Sequence, residues 1–230
     1  AFFYKINKAN AALHIIEDEI FLENYNDINQ FSYWAWGTPA EKDVVLFIKG
    51  SGYNIYVNYV DGGYIKIDDW KKVKSKDLLK QMKEIANSNK RILKEQGLSY
   101  VNDVEWIYEP TFDEKNKIVY YSYEVSWSDG KKSMENKSIV LGRKGYLENF
   151  YVVTLDRDTN LIDTAAYSKE FGESVSFNEG NRYSDYKSGD RIAAVGLGGL
   201  VAGSLGIKAL AKAGAFAKFL PLLAKFWWII

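Results

Sequence analysis

The feature that most constrains this chain is a run of sixteen residues without a charged side chain, residues 192–207 (IAAVGLGGLVAGSLGI). As an α-helix, the run would be about 24 Å long. The hydrocarbon core of a bilayer is about 30 Å thick, and a helix that crosses it needs about 20 apolar residues. Lys208 can extend its ammonium group to the headgroups, and the residues after it up to Ala213 are mostly apolar. The sequence therefore predicts a transmembrane helix over about residues 192–213.

Glycine and other small residues recur at four-residue intervals along this run. In lipid, a face of small residues lets two helices approach closely. In water, each glycine costs a helix about 0.8–1 kcal/mol relative to alanine. We therefore favour a membrane helix over the alternative, which is a buried helix of a soluble domain. The residues predicted to pack against another transmembrane helix are Gly198, Gly199, Ala202, Gly203 and Gly206.

The charges are segregated along the chain, although the formal net charge is +0. Residues 191–230 contain five basic side chains and no acidic one, so residues 1–190 hold the other 25 basic and all 30 acidic side chains. Cationic residues flank membrane helices on the cytoplasmic side, so we expect residues 1–190 outside the cytoplasm. The chain begins at Ala1 rather than methionine, a start that cleavage of a secretory signal peptide would leave.

The end of the chain, residues 215–230, reads AFAKFLPLLAKFWWII. On a helical wheel its two lysines, Lys218 and Lys225, fall within an arc of about 140° together with Lys208 and Lys212, which precede the segment. This stripe suits a helix lying on anionic lipid, while a second, incomplete crossing by residues 216–230 stays open. The residues predicted to lie at the membrane interface are Arg182, Tyr183, Tyr186, Arg191, Lys208, Lys212, Lys218, Lys225, Trp227 and Trp228.

The rest of the chain has the pattern of an α+β domain, an antiparallel sheet packed with two main helices. Residues 76–96 carry one apolar stripe, and residues 159–171 form the second main helix, with a shorter helix at 27–36. Residues 117–127 alternate as a strand should and lead into a hairpin turn at 128–131. We predict one domain over 1–177, a juxtamembrane linker over 178–190 and the membrane segment over 191–230. The order of elements is similar to the layered sandwich of the photosystem-associated PsbP type.

Composition excludes several kinds of site. The chain has no cysteine and one histidine, His14, so thiolate chemistry and a histidine-rich metal site are both excluded. The carboxylates at 17–19 and at Asp68-Asp69 are interpreted as solvated turns. A balanced charge is not typical of nucleic-acid binders. We predict no catalytic residue, no metal, no cofactor and no nucleic-acid partner.

Several stretches resemble a bacterial family of predicted membrane-anchored proteins built on a domain of unknown function. The stretches that carry the resemblance are residues 177–186, the glycine-rich run and residues 212–218, with support from 33–37, 106–110, 120–121 and 140–145. The resemblance implies a membrane-anchored envelope protein. Together with the orientation predicted from the charges, it leads us to expect the bacterial inner membrane, with residues 1–190 on the periplasmic side. It implies no reaction and no catalytic residues.

These observations favour a non-catalytic accessory or scaffolding subunit of an envelope membrane complex. Its partners would be the lipid bilayer and other transmembrane helices, from a second copy or from integral membrane subunits. Three alternatives stay open. They are a membrane-tethered module that binds a ligand or cell-wall component, an enzyme that uses paired carboxylates, and a membrane-permeabilising protein.

Overall fold

The structure is a computed structural model of the 230-residue chain, and it describes residues 3–14, 20–36, 39–40, 42–50, 53–154 and 161–205. The predictions made for the carboxylates at 17–19, for the start of the second main helix at 159–160 and for the tail at 206–230 lie outside the described residues.

The described residues form ten strands and four α-helices. The strands are β1 (Phe3–Ile6), β2 (Ala11–His14), β3 (Ile20–Leu22), β4 (Val44–Gly50), β5 (Tyr53–Val60), β6 (Val101–Asp113), β7 (Ile118–Trp127), β8 (Lys132–Leu141), β9 (Tyr146–Thr154) and β10 (Val175–Phe177). The helices are α1 (Tyr25–Trp36), α2 (Ser75–Glu95), α3 (Leu161–Ser174) and α4 (Leu197–Ser204).

Seven of the described strands form one antiparallel sheet in the order β3-β4-β5-β9-β8-β7-β6. A smaller antiparallel sheet has β2 at its centre, between β1 and β10. The predicted α+β class with an antiparallel sheet is therefore confirmed. The hairpin predicted at 128–131 joins β7 to β8, where the Trp127 N–H donates to the Lys131 carbonyl at 2.9 Å.

One face of the large sheet is covered by α3 and the small sheet. Leu46, Ile55 and Val140 of the large sheet pack in the same buried cluster as Leu13 and Phe177. A Cβ atom on Gly172 of α3 would lie 2.8 Å from Cγ2 of Ile118. This helix approaches the sheet so closely because it has glycine at that position.

The opposite face is covered by α1, α2 and α4. Successive residues of a strand point to opposite faces, so Tyr120 belongs to the first cluster and Tyr121 to the second. Leu78 and Met82 of α2 and Leu197 of α4 share this second cluster. The indole N–H of Trp106 donates to the Ser75 carbonyl at 3.1 Å, which holds the first turn of α2 against β6.

The predicted main helices both exist, with shifted ends. The helix predicted at 76–96 is α2, Ser75–Glu95, and the helix predicted at 159–171 is α3, Leu161–Ser174. The shorter helix predicted at 27–36 is α1, Tyr25–Trp36. Each is readable from sequence because its apolar stripe faces one partner surface.

The glycine-rich run differs from its prediction. Over residues 192–205 its helix is α4, Leu197–Ser204, only eight residues long, and about 12 Å of helix cannot cross a hydrocarbon core about 30 Å thick. Leu197 and Val201 are each 0% exposed, in contact with the core of residues 3–190, which we call the body. For these residues the transmembrane prediction is corrected, and the alternative of a buried helix holds. Within the described residues, no helix combines the length and the apolar character that a bilayer crossing requires.

Candidate functional site at the docked glycine-rich helix

The N-terminal end of α4 is held by a carboxylate of the body. The Asp69 side chain accepts the backbone N–H of Gly198 at 3.0 Å through Oδ1 and that of Gly199 at 3.1 Å through Oδ2. The first N–H groups of a helix have no partner within the helix, and its N-terminus carries partial positive charge. Asp69 therefore supplies both the missing acceptors and a charge of the stabilising sign.

Two glycines leave room for this carboxylate. A Cβ atom on Gly196 would lie 2.5 Å from Oδ1 of Asp69, and one on Gly198 would lie 2.7 Å from Cγ2 of Val73. Both distances are shorter than a Cβ atom tolerates. Glycine at these positions is thus explained by contact with the body, rather than by a second transmembrane helix.

The C-terminal end of α4 meets a cation of the body. The Lys137 ammonium donates to the Ser204 carbonyl at 3.0 Å, and the Tyr121 hydroxyl shares a short hydrogen bond with the Ser204 hydroxyl. The last carbonyls of a helix lack intrahelical partners and carry partial negative charge. The body thus binds α4 at both ends with charges that match the helix dipole.

Lys137 belongs to a cluster of buried polar groups on β7, β8 and β9. Its ammonium lies 3.1 Å from Oε1 of Glu148, and the two side chains are 13% and 17% exposed. Burial lowers the pKa of Lys137, but the charge of Glu148 and other nearby groups outweighs burial, so the pKa is raised overall. Burial raises the pKa of Glu135, which accepts a hydrogen bond from the Tyr123 hydroxyl. Burial also raises the pKa of Tyr121 to about 12.

The segment that leads into α4, residues 178–190, is held against the rest of the body by a bidentate ion pair between Arg143 and Asp190. The Arg143 guanidinium donates to both carboxylate oxygens of Asp190, from Nε at 2.7 Å and from Nη2 at 2.8 Å, and to the Gly180 carbonyl at 3.0 Å. The hydrogen bond from Arg143 is the largest cause that lowers the pKa of Asp190 to about 2. Residues 178–190, predicted as a linker, thus lie against the β8–β9 hairpin.

Three tyrosine rings, two of them from this segment, pack against one another. The Tyr64 ring lies 4.4 Å from the Tyr183 ring and 4.4 Å from the Tyr186 ring, centroid to centroid. The Tyr183 hydroxyl donates to the Ile65 carbonyl at 2.7 Å, and burial raises the pKa of Tyr183. Tyr183 is therefore part of the packed body, whereas Tyr186 is 40% exposed.

The remaining residues predicted to lie at the membrane interface fall into two groups. Arg182 is exposed and forms a backbone bridge with Gly142, and Arg191 lies 2.8 Å from the carboxylate of Asp61. Contact of these side chains with lipid stays a prediction. The others lie outside the described residues: Lys208, Lys212, Lys218, Lys225, Trp227 and Trp228.

The predicted helix-packing residues do not share one environment. Gly198 is buried against the body, Gly199 and Ala202 are half-buried, and Gly203 is exposed. Gly206 lies outside the described residues. Sequence reasoning misses the groups that hold α4. It places Asp69 in a solvated turn, and no local pattern marks Lys137. The only signal for Asp69 is its position beside Asp68.

This arrangement holds a helix in place. Within the part of the chain that the structure describes, no three histidine, cysteine, aspartate or glutamate side chains gather closely enough to hold a metal ion. The groups that converge on α4 are hydrogen-bonded to its backbone or to one another. The site is therefore best described as a dock for the segment that leads to residues 206–230.

Comparison with known proteins gives a family, and solved structures that match include a distant one. No curated protein matches the chain. The solution structure of cyanobacterial PsbP (CyanoP) from Synechocystis sp. PCC 6803 is 14% identical with a TM-score of 0.41, over 77% of this chain and 92% of that chain. At that score the PsbP-type sandwich stays a prediction. A family model described as "Protein of unknown function (DUF2167)" matches residues 3–230. The predicted membrane anchoring stays a prediction, whereas the domain of unknown function in the resemblance is confirmed: because the match spans nearly the whole chain, the protein belongs to the DUF2167 family of unknown function.

Proposed function

We propose that the chain is a non-catalytic, extracytoplasmic accessory subunit that residues 206–230 attach to a bacterial membrane. The observation that carries this proposal is the position of α4. Leu197, Val201 and Leu205 are 0%, 0% and 9% exposed and complete the core of the body. The folded body therefore includes residues up to Leu205, and the attachment is assigned to the 25 residues beyond it, residues 206–230.

The composition of that segment supports attachment to a membrane. Residues 206–230 contain four lysines, no acidic residue and an apolar end, FLPLLAKFWWII. Lysine and tryptophan both favour the interface between lipid and water. Lysines near a membrane segment favour the cytoplasmic side, so the four lysines of residues 206–230 support a cytoplasmic C-terminal end and an extracytoplasmic body. The membrane-embedded partner would be another subunit that this segment contacts in or on the bilayer.

Two truncations test the proposal against the predicted span over 192–213. A chain ending at Leu205 keeps the docked helix and should leave the membrane fraction as a folded, soluble domain, while the full chain stays with membranes. A chain ending at Asp190 loses Leu197, Leu200, Val201 and Leu205. Burying each of these side chains contributes about 1.5–3 kcal/mol, and whole domains are stable by only about 5–15 kcal/mol. This shorter chain should be unfolded.

The measurement is fractionation of exported protein, with circular dichroism on each soluble product. Full-length chain in the soluble fraction without detergent would refute membrane attachment. A folded, cooperative chain ending at Asp190 would refute the role given to α4.

A further inference from the structure

A concentrated basic surface lies next to the docked helix. Residues 71–80 read KKVKSKDLLK, with five lysines and one acidic residue, Asp77. All five lysines are exposed: Lys71, Lys72, Lys74, Lys76 and Lys80. In the described ranges none of the five forms an ion pair, whereas Lys83, further along α2 from Lys76 and Lys80, pairs with Asp103 and Glu105. Their charges are available to a partner.

The acidic groups nearby do not cancel this charge. Asp69 is turned toward the N–H groups of Gly198 and Gly199, and Asp61 pairs with Arg191 at 2.8 Å. Asp68, Asp77 and Glu109 are exposed, and Glu109 accepts a hydrogen bond from the Ser75 hydroxyl at 2.7 Å. The five lysines of the stretch still outnumber these three acids. The surface therefore keeps a net positive charge in a body that is acidic overall.

Exposed apolar side chains lie on the residues that precede α4, and these residues contact residues 64–69 just before the lysines. Tyr186, Ile192 and Val195 are 40%, 39% and 37% exposed, although they belong to a packed segment. Residue 192 forms a parallel bridge with Tyr64, and Gly196 lies against Asp69. Val195 adjoins Gly196, and Lys71 is two residues from Asp69, so the Gly196–Asp69 contact brings Val195 near Lys71. Apolar side chains next to lysines are typical of surfaces that enter the headgroup region of a membrane.

We propose that this surface, formed by Lys71, Lys72, Lys74, Lys76 and Lys80 with Val195 beside them, binds anionic phospholipid headgroups and sets the orientation of the body on the bilayer. The inference rests on the proposed function, because residues 206–230 would bring the body to the membrane. Charge complementarity identifies the occupant: each lysine near an anionic surface adds about fivefold to binding. Residues 206–230, which the proposed function assigns to the membrane, follow the C-terminal end of α4, and the N-terminal end of the same short helix touches this surface.

The absence of cysteine from the sequence makes a site-specific test direct. Full-length Val195→Cys is labelled with bimane and reconstituted in vesicles of phosphatidylcholine alone or in an equal mixture with phosphatidylglycerol. Each vesicle carries a headgroup nitroxide lipid as the quencher. The matched control is Lys94→Cys, at the other end of α2. We expect quenching at position 195 to be several-fold stronger in anionic vesicles, and quenching at position 94 to be weak in both.

Charge-reversal variants then distinguish an effect of these particular lysines from an effect of the net charge of the protein. In the Val195→Cys background, K71E/K74E should reduce quenching in anionic vesicles to the level in neutral ones. The control K94E/K131E changes the net charge equally and should leave quenching unchanged. Lys72→Cys is a second labelling site in case the first variant misfolds, and the near-ultraviolet circular dichroism of each variant reports its fold.

Co-sedimentation of the same samples distinguishes the two proposals. Chain that co-sediments with vesicles but shows equal quenching at positions 195 and 94, or no effect of K71E/K74E, would overturn the lipid-binding surface and leave membrane attachment standing. In that case an acidic protein becomes the partner for these lysines. Chain that does not co-sediment at all refutes membrane attachment itself.

Discussion

The clearest quantitative test of the docked helix is a double-mutant cycle between Gly196 and Asp69. Gly196 has φ −80° and ψ −178°, an extended conformation that any residue adopts. Alanine there meets no backbone strain. Its Cβ atom would instead lie 2.5, 2.6 and 2.7 Å from Oδ1, Cγ and Oδ2 of Asp69. Gly196→Ala must therefore push the carboxylate away from α4.

The expected magnitude combines two effects. Overpacking of this kind costs about 1–3 kcal/mol, and loss of an acidic cap costs about 0.5–2 kcal/mol. Since the carboxylate that moves is also the cap, the two costs overlap, and we expect a total of about 2 kcal/mol. Asp69→Ala alone should cost about 1–2 kcal/mol. In the Asp69→Ala background, Gly196→Ala should cost less than about 0.5 kcal/mol, because nothing remains for the Cβ atom to displace.

The assay is urea unfolding of the full chain in mild detergent, monitored by circular dichroism for the four members of the cycle. Asp68→Ala is the matched control, because its side chain is exposed and adjacent in sequence; it should change stability by less than about 0.5 kcal/mol. If Gly196→Ala costs the same with and without Asp69, or if Asp69→Ala behaves like Asp68→Ala, the docking of α4 by this carboxylate is refuted.

Three further outcomes are expected. The pKa of Asp190 is lowered to about 2, so its contribution to stability is fully present above about pH 4 and is lost as the pH falls through about 2. The Tm of Asp190→Asn should therefore converge with that of the unaltered chain below about pH 2, and curves that stay apart there would contradict the ion pair. Lys137→Met leaves Glu148 without its cation and should cost about 3 kcal/mol in urea unfolding, with recovery when Glu148→Leu is added. Leu197→Ala should cost about 2–5 kcal/mol and the exposed Val195→Ala under about 0.5 kcal/mol, whereas equal costs would mean that α4 is not docked.

The spacing of apolar residues is enough to predict the main helices and strands of the body, because it depends on which side of each element is buried. The apolar stripe of α2 and the alternation of β7 are both visible in the sequence, and both elements exist. The bounds of α2 are each shifted by one residue from the prediction, and β7 starts one residue later than predicted. Local patterns of this kind report the existence and type of an element better than its boundaries.

Hydropathy alone misplaces the glycine-rich run. Burial of an uncharged, apolar segment is favourable both in lipid and in a protein core, and hydropathy does not distinguish the two environments. Its glycines suggest a surface for another membrane helix, but in the structure Gly196 and Gly198 accommodate Asp69 and Val73. Asp69 and Lys137, the groups that bind α4, are not predicted for a related reason. A charged residue in a turn or strand is usually exposed, and no local sequence pattern distinguishes the buried ones.

The sequence by itself determined the α+β class, the principal helices and strands, the family and the separation of charge between body and tail. Those properties depend on composition and on spacing over a few residues. Tertiary structure alone decided where residues 192–205 lie. The groups that hold α4, Asp69 and Lys137, are 129 and 67 positions away from the backbone atoms they bind. Contacts over such separations depend on how the sheet and its loops bring distant residues together, and no periodicity encodes them.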